Sequence, residues 1–103
     1  MTLVWSSLAV ERLHEIAQYI FQDNEETAVQ WLDAVLEQVA QLIDFPQIGR
    51  VVPETNREDI RELLYKNYRI IYWLDGKVVN LLTIRHGKQI LPLEDLKPHQ
   101  TDR

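Results

Sequence analysis

The hydrophobic period of this chain changes once, near residue 45, and that change restricts the fold to a helical pair followed by a small sheet. Up to Ile43, apolar residues recur at helical spacing. Ala9, Leu13, Ile16, Ala17, Ile20 and Phe21 share one face of a helix predicted from about Leu8 to Gln22, capped by Ser6 or Ser7. Asp23-Asn24 breaks it, and Asp23 followed by Glu26 resembles a capping box for a second helix reaching about Ile43. Ala28, Trp31, Leu32, Val35, Val39, Leu42 and Ile43 form its apolar face. So short a connection predicts an antiparallel hairpin, with the acidic residues on its outer, solvated faces.

Pro46 and Gly49 end the helical region, and Val51 to Asp59 reads as a polar loop. Ile60–Tyr65, Tyr68–Leu74 and Lys77–Arg85 are then rich in β-branched and aromatic residues, separated by Lys66-Asn67 and Asp75-Gly76. This predicts an antiparallel meander of three strands, with Val4-Trp5-Ser6 available as a fourth. The fold class is α+β: a helical hairpin on a small, mainly antiparallel sheet of three to four strands. One domain spans residues 1–103, with 91–103 an irregular tail.

A two-residue turn at Asp75-Gly76 sets Trp73 opposite Val78, Ile71 opposite Asn80 and Arg69 opposite Leu82. One face then carries Arg69, Ile71, Trp73, Val78 and Leu82, the other Tyr68, Ile70, Tyr72, Leu74, Val79 and Leu81. Both are largely apolar, and two helices cover only one. The second needs a partner polypeptide, or a tail folded back through Leu91, Leu93 and Leu96.

Charge narrows the function. Residues 8–44 hold eight acidic side chains and one basic one, Arg12, whereas residues 45–103 hold ten basic and eight acidic. A protein gripping nucleic acid through phosphates carries a stronger basic stripe, so direct sequence-specific DNA binding by this chain alone is not expected. There is no cysteine, and His14, His86 and His99 show no metal-ligand spacing, so neither metal nor cofactor is expected. Without a signal-peptide pattern or a membrane-length apolar run, the expected location is the cytoplasm.

Specific words follow in order: Val4-Trp5-Ser6; Ala9, Leu13, Ile16 and Tyr19-Ile20; Trp31; Leu42, Phe45-Pro46 and Gly49-Arg50; Ile60-Arg61-Glu62-Leu63; Tyr68-Arg69-Ile70-Ile71-Tyr72; and Ile84-Arg85-His86-Gly87-Lys88. Over roughly residues 3 to 92 the set resembles the ParE/RelE toxin superfamily. The resemblance implies the toxin of a type II toxin–antitoxin (plasmid stabilisation) pair, held in a hetero-oligomer by a cognate antitoxin that wraps it. RelE-like members cleave mRNA on the ribosome; ParE-like members inhibit DNA gyrase without known hydrolysis of their own.

Metal-free RNA cleavage needs an acid, a base and cations at the transition state. Carried over one by one, the strand lysines of RelE-like enzymes fall on Ile60 and Glu62, the arginine on Arg69, the next on Gln89, and the late tyrosine near Asp95. Only Arg69 is kept, and Glu62 has the wrong sign beside a phosphodiester. The ParE-like branch is therefore expected, more a binding inhibitor than an enzyme. Arg69, Arg85, His86 and Lys88 are the candidate target contacts, and Ile71, Trp73, Val78 and Leu82 the candidate antitoxin contacts. The alternative is a ribosome-dependent endoribonuclease using Arg61, Arg69, Arg85 and His86. His86 reads either as a general acid or base or, preferably, as a strand-end residue bonded to backbone. Arg69→Ala is expected to lower toxicity by weakening target contact, not by removing a catalytic step; the other readings of Arg69 are an internal pair with Glu62 or a pair with the antitoxin's acidic groups, and Arg61 with Glu62 is a candidate cross-strand ion pair.

Overall fold

The computed structural model describes residues 1–87 and 91–96. Strand β1 (Thr2–Trp5) leads into helix α1 (Ser7–Asp23) and helix α2 (Glu25–Ala40), which a short 3-10 turn (Gln41–Ile43) extends. Strands β2 (Arg50–Val51), β3 (Ile60–Tyr65), β4 (Tyr68–Asp75) and β5 (Val78–His86) follow, then a second 3-10 turn (Leu93–Leu96). The sheet order is β1-β5-β4-β3-β2, antiparallel except for β1 against β5. The expected meander is present, and β2 adds a fifth strand inside the segment read as loop.

Caps fix the hairpin. Ser6 Oγ accepts from the Ala9 N–H at 3.0 Å and donates to the Leu82 carbonyl at 3.0 Å, so one hydroxyl starts α1 and ties it to β5. Asn24, not Asp23, caps α2: its backbone is extended and its side chain accepts from the Thr27 N–H at 2.9 Å. Asp23 remains in α1 because the amide of Asn24 still reaches the Ile20 carbonyl. Trp31, Val35, Val39 and Leu42 pack with Leu63, Ile70, Tyr72, Val79, Leu81 and Ile84 into the main core; Ile43 is exposed.

The β4–β5 register differs from expectation. Gly76, with φ of 60°, takes the first loop position, so the turn is Gly76-Lys77 and Asp75 pairs with Val78. Trp73 therefore opposes Asn80. An irregularity between Ile71 and Tyr72 then leaves Leu82 as a surplus residue: Tyr72 pairs with Leu81, Ile71 with Thr83 and Arg69 with Arg85. The division of faces survives. Val52, Ile60, Ile71 and Leu82 form a second core on the side away from the helices, closed by Leu91 and Leu96 of the chain's own C-terminal segment. Of the two covers considered for that face, the structure shows the tail.

Candidate functional site

Four charged side chains form one alternating chain on the tail side of the sheet. Glu62 is fully buried, accepting from Arg50 Nε at 2.6 Å and from Arg69 Nε at 2.6 Å. The two terminal nitrogens of Arg69 reach the Glu54 carboxylate at 3.0 and 2.9 Å. The order Arg50–Glu62–Arg69–Glu54 alternates in sign, which makes burial of Glu62 and Arg69 tolerable. Arg69 is 6% exposed, so it does not present its charge outward as a target contact: two glutamates occupy its guanidinium. The hydrogen bonds from Arg69 hold the Glu54 carboxyl below the usual carboxylate range, and Glu54 in turn raises Arg69.

A second set pins the loop before β2. The Tyr72 hydroxyl donates to the Pro46 carbonyl at 2.8 Å and accepts from the Gly49 N–H at 3.0 Å. Arg61 donates to the Gly49 carbonyl at 2.9 Å and the Glu58 carbonyl at 2.9 Å. Arg61 thus binds backbone rather than Glu62, because neighbours on one strand point to opposite faces.

Asp59 accepts from Arg57, which lowers its pKa, and from the Trp73 indole. Depressed carboxyls stabilise the fold above their unfolded values and lose that contribution as pH falls through the folded ones. For Glu54 and Asp59 the melting temperature is expected to fall as pH drops below about 4. Glu54→Gln with Asp59→Asn should flatten that limb in a melting series.

What faces outward is the end of the sheet where Tyr68 pairs with His86. The Tyr68 ring stands edge-on to Trp31 at 5.3 Å and to His86 at 5.5 Å. Burial, and then the neighbouring Tyr19, push the Tyr68 hydroxyl's pKa up. Tyr68 and His86 separate two clefts. One, of about 370 Å³, is lined by residues including Arg50, Glu54, Lys66, Asn67 and Arg69. The other, of about 440 Å³, lies against α1, with Arg12, Glu15, Ile16, Tyr19, Ile84 and Arg85.

The suggested ribonuclease quartet does not converge. Arg69 and His86 line the first cleft, Arg85 and His86 the second, and Arg61 neither. Ile71 and Leu82, read as antitoxin contacts, are 0% and 2% exposed beneath Leu91 and Leu96, whereas Trp73 and Val78 are partly exposed. Lys88 lies outside the described residues. Sequence reasoning missed Glu54, Arg50, Arg12 and Lys66; only the option of an internal Arg69–Glu62 pair pointed toward the charged chain. Among the described residues no group of three or more acidic, histidine or cysteine side chains is placed to hold a metal, and no helix is long and apolar enough to cross a membrane.

The family model of the ParE toxin of type II toxin-antitoxin system, parDE, matches residues 3–91. The chain belongs to the ParE toxin family. A solved structure of the chromosomal ParDE TA system from P. aeruginosa is similar to this ParE-family protein with a TM-score of 0.69. The identity is 24%, over 84% of this chain and 95% of that one. A search of curated proteins yields no match. In this ParE-family chain the words Gly-Arg, Arg-Glu-Leu and Tyr-Arg-Ile-Ile-Tyr supply Arg50, Glu62 and Arg69 of the charged chain, and Pro46, Gly49, Arg61 and Tyr72 pin the loop.

Proposed function

We propose that this protein is a toxin that inhibits DNA gyrase by binding it, is held silent in a hetero-oligomer by a cognate antitoxin, and acts in the cytoplasm. The observation that carries this reading is the occupation of Arg69, the single RelE-type position kept, by Glu62 and Glu54. A guanidinium already neutralised by two carboxylates is poorly placed to stabilise a phosphorane. Target contact is assigned to the open end of the sheet, through Arg85 and His86; Lys88 is kept as a candidate from the sequence alone. Trp73 and Val78 are assigned to the antitoxin; Ile71 and Leu82 could join them only after the 91–96 segment moves aside.

Purified protein is expected to block gyrase supercoiling and to leave ribosome-bound mRNA intact. His86→Ala should weaken the inhibition about tenfold, or ~1.4 kcal/mol, in a protein that stays folded despite losing the ring contact to Tyr68. Specific mRNA cuts without any effect on supercoiling would replace this reading with the ribonuclease one.

A further inference from the structure

The turn before β2 is held rigidly, yet what it holds out to solvent is apolar. The Ile48 N–H donates to the Phe45 carbonyl at 3.1 Å, and Pro46 in the second position fixes one torsion of the turn. The Tyr72 hydroxyl binds the Pro46 carbonyl and the Gly49 N–H, and Arg61 binds the Gly49 carbonyl. Gly49 lies so close to Tyr72 and to the Glu62 carbonyl that a Cβ has no room. On this fixed backbone Phe45 is 62% exposed and Ile48 53%, with the exposed Ile43 just before them in the chain. Large apolar side chains on a backbone already ordered lose little further freedom when covered, so together they form a surface prepared for contact.

The charges beside the turn indicate what covers it. Asp44 precedes Phe45, and among the described residues its carboxylate is in no ion pair. Arg61, half-buried at the far end of the turn, binds only the backbone carbonyls of Gln47, Gly49 and Glu58, so no carboxylate offsets its charge. The turn thus starts beside an open acid and ends beside an uncompensated cation. A two-fold rotation through the turn exchanges its start and its end. A second copy therefore meets it with opposite charges, Asp44 of each chain over Arg61 of the other and the apolar side chains between. A partner surface of a single sign would match only half of this patch.

We infer that two copies of this chain pair through the turn, Phe45 and Ile48 of one against Phe45 and Ile48 of the other, as a two-fold dimer. The contact is smaller than a standard stable interface, so the dimer is weak, with a Kd of about 10–100 µM. It uses none of the residues assigned to the target or to the antitoxin, so it stands or falls apart from the proposed function.

The test is analytical ultracentrifugation of the full chain from about 1 µM to about 1 mM, with amide NMR spectra over the same range. The mass is expected to rise from monomer to dimer and no further, with concentration-dependent shifts centred on the amides of residues 44–49. Phe45→Ser combined with Ile48→Ser should weaken pairing about tenfold or more, and Asp44→Arg by a similar factor, with the other amide signals in place. If a variant fails to fold, the position of the shifts in the native chain still decides. A chain monomeric at the highest concentration overturns the inference, as does a dimer that the folded variants do not weaken or whose shifts lie elsewhere. So does a mass that grows past the dimer, which marks a head-to-tail contact. Turn signals that move only when purified gyrase is added overturn it too, and give the surface to the target.

Discussion

Glu62→Ala is expected to destabilise the protein by about 3–5 kcal/mol, because it strips a buried guanidinium of its most buried partner. Glu62 has no exposed side-chain surface and Arg69 has 8%; water cannot replace the lost carboxylate. In a domain of this size each kcal/mol moves the melting temperature by about 4 °C or more, so a drop of at least about 12 °C should be seen in a thermal melt. The same logic predicts a rescue. Glu62→Leu combined with Arg69→Met removes both buried charges and should recover most of the loss, leaving only the exposed ends, Arg50 and Glu54, without partners. A double variant as unstable as Glu62→Ala would mean that shape, not charge, sets the cost. The alanine variant of Arg69 would also lose toxicity, by unfolding and not by weakened target contact, and its melting temperature would show it.

The second large effect is expected at Gly49. A Cβ there would sit 2.6 Å from the Glu62 carbonyl oxygen and 2.6 Å from the Tyr72 hydroxyl. The carbonyl belongs to a paired strand and cannot swing away, so Gly49→Ala should cost about 1–3 kcal/mol in overpacking. Displacing the Tyr72 hydroxyl would add about 1 kcal/mol for each of its two hydrogen bonds. The urea midpoint should fall with an unchanged m-value; an unchanged midpoint would show that the loop gives way freely.

The fold was legible where local chemistry and tertiary packing agree. Apolar spacing placed both helices and all three meander strands to within about two residues, because each buried face is read by a neighbour with the same period. Single backbone conformations were not legible. Asp23 and Asn24 are equally good caps on paper, and only the extended backbone of Asn24 chooses between them. The positive φ of Gly76 slid the turn by one residue and the register by two. β2, two residues long, has too little pattern to announce itself; it exists because Arg50 and Val51 fall opposite Glu62 and Arg61.

The site was legible in its residues but not in their partners. Arg69 stood out as a charge among apolar neighbours, and that isolation suggested an outward role. Glu54, some fifteen positions upstream in a segment without periodicity, gave no sign that it closes over Arg69. Arg85 and His86 were identified as lying at the sheet's end. Arg12, which faces Arg85's cleft from α1, looked like one basic residue in an acidic helix.

The surplus Leu82 has a consequence for how the chain tolerates length changes. Downstream of it, Ile84 turns toward the helices while Thr83 and Arg85 turn toward Asp95. Deleting that one residue would remove the surplus and leave Thr83, Ile84 and Arg85 opposite Ile71, Ile70 and Arg69 as they are now, at the cost of one side chain from the second core. A codon lost two places further on, at Ile84, has no surplus to draw on and would exchange the two sides for the residues that follow, so β5 can shorten where it already carries an extra residue and not beyond it.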